Sequence, residues 1–167
     1  KTLVGVIDKE TGEKSWVSSQ EELDKLTIDG GYHFNFSTLD YVYDAVENSK
    51  ITSILRQRLT DPNTQVMVLT ARAMRSIDDI QRVLQMFDEP IETENIIMIG
   101  AEGGNKGEYL RDVVLTKYPN IKEIEFYDDS DRNVDHMNKI KNELAIDGNI
   151  EKFDIYKVTH GAPKLVN

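Results

Sequence analysis

The chain has no cysteine, which excludes disulfides, zinc-thiolate sites and thiol nucleophiles and is compatible with a reducing compartment. It has no apolar run approaching the ~18 residues of a membrane span and no signal-like start, so the expectation is a soluble, cytoplasmic protein without a membrane partner. Positive charge is scarce: 20 Lys and Arg face 30 Asp and Glu, for a net charge of -10. So acidic a surface repels phosphate backbones and disfavours sequence-independent nucleic-acid binding. The histidines, His33, His136 and His160, are scattered without metal-ligand spacing, and Gly103-Gly104 lacks the spacing of a Walker or dinucleotide loop. No internal repeat, low-complexity tract or linker divides the chain. Its 167 residues, 39% hydrophobic, predict one domain over 1–167 with a single core.

The stretch 121–138 organises what is present. IKEIEFY alternates Ile, Phe and Tyr with Lys and Glu as a half-buried strand does, then stops at Asp128 and Asp129. Ser130 or Asp131 can cap the helix that follows, which carries Val134, Met137 and Ile140 at helical spacing. Upstream, LVGVI and KSWVS flank a polar, Gly-containing turn and predict a hairpin, with a short capped helix after Ser18 or Ser19. DGGYHFNF, 29–36, lacks helical periodicity and is expected to be irregular, although Tyr32, Phe34 and Phe36 alternate as one strand face would. A helix is predicted over 39–59, broken near Asn48-Ser49. Strands are predicted at 65–69, 96–99 and 153–158, alternating with helices after Ser76, over 106–117 and over 134–144, and a polar tail containing Pro163 closes the chain. The alternation from Gln65 onward predicts a parallel sheet with right-handed crossovers. Residues 1–38 would form the hairpin and an insertion beside an α/β core over 39–167.

Three predicted strands end in polar residues at their carboxyl edge: Thr70, the loop before Lys106, and Asp128 with Asp129. In an open α/β sheet that edge is where ligands bind. Adjacent carboxylates repel each other, and the commonest reason to keep two is a hard cation such as Mg2+. A hydroxyl, an ammonium and paired carboxylates on one rim suit a phosphate held with a divalent cation.

The series Val-Leu-Thr-Ala-Arg (68–72), Asn-Lys-Gly (105–107) and Phe-Tyr-Asp-Asp-Ser-Asp-Arg-Asn (126–133) resembles motifs two, three and four of the haloacid dehalogenase (HAD) superfamily of phosphohydrolases. It looks most like the HAD-like proteins of phages and the HAD domain of Swiss-army-knife RNA-repair proteins, and the likeness covers roughly 66–158. The resemblance implies a three-layer α/β sandwich with a central parallel sheet, Rossmannoid in type. It implies Thr70 as the phosphate-binding residue, Lys106 as the motif-three cation, and Asp129 as principal Mg2+ ligand supported by Asp128 and Asn133. The substrate it implies is a phosphate monoester on a small molecule or a nucleic-acid end. The family's first motif, a strand ending in Asp-x-Asp-x-Thr whose first Asp is the nucleophile, does not occur in the N-terminal third. Asp8, in Asp8-Lys9-Glu10-Thr11-Gly12, is either a degenerate nucleophile or part of a hairpin turn. In similar phage proteins a comparable hairpin follows the nucleophile motif, so the resemblance puts that strand before Lys1. The alternative is a non-catalytic phage structural or accessory protein, with viral assembly partners and a place in the host cytoplasm or virion.

Overall fold

The computed structural model describes residues 4–17, 20–35, 45–70, 72, 74–101 and 104–166. It is a mixed α/β structure with three small sheets among those residues.

The N-terminal sheet is antiparallel, in the order β2-β1-β3. β1 (Val4–Asp8) pairs with β2 (Lys14–Val17), as the hairpin reading expected, and also with β3 (Tyr32–Asn35). The second pairing corrects the expectation of irregular chain at 29–36 over Tyr32–Asn35, while Phe36 lies outside the described residues. Tyr32 and Phe34 do alternate along a strand, but Gly30 and Gly31 make so short a segment read as loop; Gly30 turns the chain into it at φ +68°. Helix α1 (Gln20–Asp29) bridges β2 and β3. Val4, Val6 and Val17 are buried within this unit.

Helix α2 (Ser49–Leu59) starts where the break was expected: the Asn48 side chain accepts from Ile51 N. The segment 45–48 before it carries no regular structure, and the helix expected over 39–44 lies outside the described residues. β4 (Val66–Thr70) and β5 (Ile96–Gly100) form a parallel pair from Val66↔Ile96 to Thr70↔Gly100. Between them run a 3-10 turn (Met74–Ser76) and α3 (Ile77–Gln85). Ser76 occupies the cap position of α3 without a side-chain capping bond.

α4 (Lys106–Tyr109) continues through one π-helical turn (Leu110–Val114) into α5 (Leu115–Lys117). β6 (Glu123–Asp128) and α6 (Asp131–Asp147) follow, and Gly148 ends α6 in the left-handed region at φ 66°. β7 (Lys152–Thr159) runs parallel to β6, and β8 (Ala162–Val166) returns antiparallel to β7. β8 replaces the expected polar tail. Pro163 is tolerated because β8 is an edge strand, where a missing N–H costs no ladder bond on the open side. The main core joins α6 to this sheet: Val134, Met137, Phe153 and Ile155 are buried together, with Leu110, Ile124, Phe126 and Leu144 packed around them. The single parallel sheet expected from Gln65 onward is divided, β4-β5 in one sheet and β6-β7-β8 in another.

Candidate functional site

Asp128 is the last residue of β6 and is buried. A carboxylate cannot be left bare there, and three donors meet it. Ser130 N donates to Oδ1 at 2.8 Å, closing a tight turn after the strand. Asn133, in the first turn of α6, donates through Nδ2 to Oδ1 at 3.0 Å and Oδ2 at 3.1 Å. Lys106 Nζ donates to Oδ2 at 2.7 Å, and these two side chains are 12% and 6% exposed. Such a charge-assisted bond is stronger than one between neutral groups, but the cost of taking both charges out of water offsets much of that gain.

Local sequence places each partner. The Ser130 side chain accepts from Asn133 N at 3.4 Å and caps α6, which sets Asn133 one turn above Asp128. Asn105 caps α4, its Oδ1 accepting from Gly107 N at 2.9 Å and Glu108 N at 3.3 Å. Lys106 is therefore the first helical residue, where the N-terminal end of the helix dipole disfavours a cation. The Asp128 carboxylate offsets that disadvantage. Gly107 is buried against α6: a Cβ there would lie 2.7 Å from Ile140 Cγ1 and 2.9 Å from the His136 carbonyl oxygen. Only glycine lets α4 approach α6 closely enough for Lys106 to reach Asp128.

Asp129 is exposed, unlike its neighbour. Its main-chain oxygen accepts from Lys157 Nζ at 2.7 Å, and the same ammonium pairs with Asp131 Oδ1 at 2.5 Å. Lys157 was missed by the sequence reading. Its signal was a lysine interrupting the apolar strand FDIYKV, at the position that pairs with Asp128 across the ladder.

Thr70 ends β4 and is half-buried. Its carbonyl accepts from Ala101 N at 2.8 Å, which ties the first residue after β5 to the end of β4. Its hydroxyl accepts from Arg72 N at 3.2 Å, leaving the hydroxyl proton for another acceptor.

The chain matches no protein-family model, no curated protein and no solved structure. The site is therefore read from its own geometry. Lys106, Asp128, Asn133 and Ser130 converge in one hydrogen-bonded cluster. Asp129 and Lys157 flank it, and Thr70 stands at the carboxyl end of the other parallel pair. Asp8 is elsewhere, at the end of β1 in the antiparallel sheet. Its Oδ1 accepts from Glu10 N and Thr11 N, both at 2.8 Å, and these two amide bonds hold its carboxyl below the usual carboxylate range. That is the hairpin-turn role among the two readings of Asp8.

Among the described residues, no three carboxylate or imidazole side chains are grouped to hold a metal. The two adjacent carboxylates differ in what they offer a cation. Both oxygens of Asp128 already accept from the protein, one of them from an ammonium, whereas the exposed Asp129 presents its carboxylate to solvent. Mg2+ is commonly held by one or two carboxylates, with water and substrate phosphate completing six ligands. Asp129 fits such a role as one ligand.

Proposed function

We propose that this chain carries the phosphate- and cation-binding part of a HAD-type Mg2+-dependent phosphohydrolase, whose nucleophile lies on a strand preceding Lys1. The supporting observation is the buried Lys106–Asp128 pair, 2.7 Å long, at the carboxyl end of a parallel strand. A lysine fixed at such an edge by a carboxylate and a helix cap is costly to build for stability alone, because a buried pair gives little net stabilisation.

The contacts support the following roles. Asp128 is a positioning residue that aims the Lys106 ammonium, and Asn133 and Ser130 hold Asp128. Lys106 offsets the negative charge of a phosphoryl group, and Thr70 donates its hydroxyl proton to a phosphoryl oxygen. Asp129 is the Mg2+ ligand, with Lys157 fixing its main chain. When bound, Mg2+ neutralises charge on the transferring group. The covalent step needs a carboxylate that attacks phosphorus as the ester P–O bond breaks; the leaving oxygen takes a proton, and water then releases phosphate from the acyl phosphate. None of Thr70, Lys106 and Asp129 is such a nucleophile.

The test is hydrolysis of an aryl phosphate with Mg2+ by the polypeptide read from its own start codon and by the 167-residue chain. The longer form is expected to turn over and the shorter to show little or no activity. Asp129→Asn and Thr70→Val in the longer form should each lower kcat/KM by about 100-fold or more, the usual range for lost charge stabilisation. Absence of turnover by the longer form overturns the reading in favour of a non-catalytic accessory or structural protein.

A further inference from the structure

The chain has five methionines and no cysteine, so the sulfur that a mild oxidant meets is thioether sulfur. Three of the five are shielded. Met137 is 1% exposed in the core, and Met67 and Met98 lie half-buried in β4 and β5. Met74 and Met86 differ, being 56% and 69% exposed. Both sulfurs accept a hydrogen bond, but from different partners. Met86 Sδ accepts from the Arg82 guanidinium at 3.1 Å, a contact within the end of α3. Met74 Sδ accepts from Gly100 N at 3.2 Å, which joins the turn after β4 to the last residue of β5.

The direction of the Gly100 amide gives that bond its meaning. Thr70 and Gly100 are in register at the end of the β4-β5 ladder, and the next amide, Ala101 N, donates back to the Thr70 carbonyl. Successive residues of a strand turn their N–H groups to opposite edges, so the Gly100 N–H faces the edge of β5 away from β4. Among the described strands, none pairs with that edge. The thioether is therefore the acceptor for the last amide of β5, and thioether sulfur is a weak acceptor. The Met74–Ser76 turn holds it in place. Ser76 and Ile77 are buried and anchor the far side of the turn, while on the near side Arg72 N donates to the Thr70 hydroxyl at 3.2 Å. One short segment thus connects an exposed sulfur, an edge amide of β5 and the hydroxyl at the end of β4.

We propose that Met74 is an oxidative modification site, converted by hydrogen peroxide to the sulfoxide, and that the added oxygen resets the carboxyl edge of β4 and β5. A sulfur lone pair attacks one peroxide oxygen, the S–O bond forms as the O–O bond breaks, and the departing hydroxide takes the remaining proton to become water. Sulfur loses two electrons and peroxide gains them. The Gly100 bond occupies one lone pair of the sulfur, and the exposure of the side chain opens the other to solvent. The product is a different acceptor. A sulfoxide oxygen is polar where the thioether was not, and it takes an N–H bond at the usual ~2.9 Å, so an oxygen between sulfur and amide moves the sulfur back from Gly100. Ser76 and Ile77 are packed and do not follow. The displacement falls on the open side of the turn, and through the Arg72 amide it reaches the Thr70 hydroxyl. Methionine sulfoxide reductases reverse the change, the oxygen leaving as water while a dithiol becomes a disulfide.

The experiment treats the 167-residue chain with increasing hydrogen peroxide and follows it by peptide mass spectrometry and by amide NMR spectra. Met74 is expected to oxidise at least about 10-fold faster than Met137, whose sulfur a reagent reaches only when the core opens. On oxidation the Gly100 and Arg72 amide resonances shift, and a methionine sulfoxide reductase with dithiothreitol restores them. Met74→Leu, an exposed change of similar volume, keeps the fold and abolishes both oxidation-induced shifts while Met86 still oxidises. Met86→Leu leaves both shifts in place. Oxidation of Met74 no faster than that of Met137 overturns the proposal. So do Gly100 and Arg72 resonances that stay fixed when Met74 is oxidised, or oxidation-induced shifts that persist in Met74→Leu. No turnover enters the measurement, so its outcome is separate from that of the phosphatase reading.

Discussion

At the residue scale, the behaviour of Asp128 depends on its three donors rather than on its position beside another acid. Removing either member of a buried ion pair leaves the other charge uncompensated, which typically costs about 3–5 kcal/mol. Lys106→Met and Asp128→Asn are each expected to lower stability in urea titrations on that scale. Combining Lys106→Met with Asp128→Leu should cost clearly less than the sum, because no orphan charge remains; additive losses would mean the two side chains do not form one unit. Tyr127 offers a second residue-scale reading. Burial first, then the neighbouring Glu125 carboxylate that accepts its hydroxyl proton at 3.2 Å, push its pKa up to about 12. The neutral form is the one the fold favours. The stabilisation is therefore fully present below the ordinary tyrosine value of about 10 and is lost as pH rises through about 12. In an alkaline absorbance titration, Tyr127→Phe should delete a late ionisation; loss of an ordinary one near pH 10 would contradict the burial and the Glu125 bond.

At the element scale, the legible parts were those with strong periodicity or a cap. Helix α6 was found through the Ser130 cap and its apolar spacing, α2 through apolar spacing and the break expected near Asn48-Ser49, β6 through its alternation, and β4, β5 and β7 through short apolar runs. β3 and β8 were missed for physical reasons. Each is four or five residues long and carries a local signal for loop, glycines before one and a proline inside the other, which long-range pairing overrides. Of the three strand ends expected on one rim, two are joined, since Lys106 and Asp128 meet; no contact among the described residues joins Thr70 to them. Sequence could not assign Asp128 to Lys106 instead of to a cation, because that depends on the tilt of α4 against α6. The tilt is set by Gly107 and by a π-helical turn that has no sequence pattern. Gly107→Ala is accordingly expected to destabilise by about 1–3 kcal/mol as an overpacking change, whereas Gly31→Ala, with nothing within 4 Å of the added Cβ, serves as a near-neutral control. Equal melting points for the two variants would mean that α4 and α6 do not pack through residue 107.

At the scale of the whole molecule, the net charge of -10 means that any added salt relieves self-repulsion and raises the melting temperature somewhat, so a Mg2+ effect has meaning only against an ionic-strength control. Asp128 is already committed to Lys106, Asn133 and Ser130, so of the two adjacent carboxylates Asp129 is the one open to a cation. One exposed carboxylate binds Mg2+ too weakly to shift folding by mass action at millimolar concentrations. The 167-residue chain is therefore expected to melt at the same temperature in MgCl2 and in NaCl of equal ionic strength. In the proposed phosphohydrolase, the nucleophile carboxylate would add an oxygen ligand at the rim. A cation bound at about 100 times its Kd then adds about 2.7 kcal/mol, a rise of a few degrees that Asp129→Asn should abolish. A Mg2+-specific rise already present in the 167-residue chain would show that Asp129 has ligand partners within it, and the division of labour between the two aspartates would have to be redrawn.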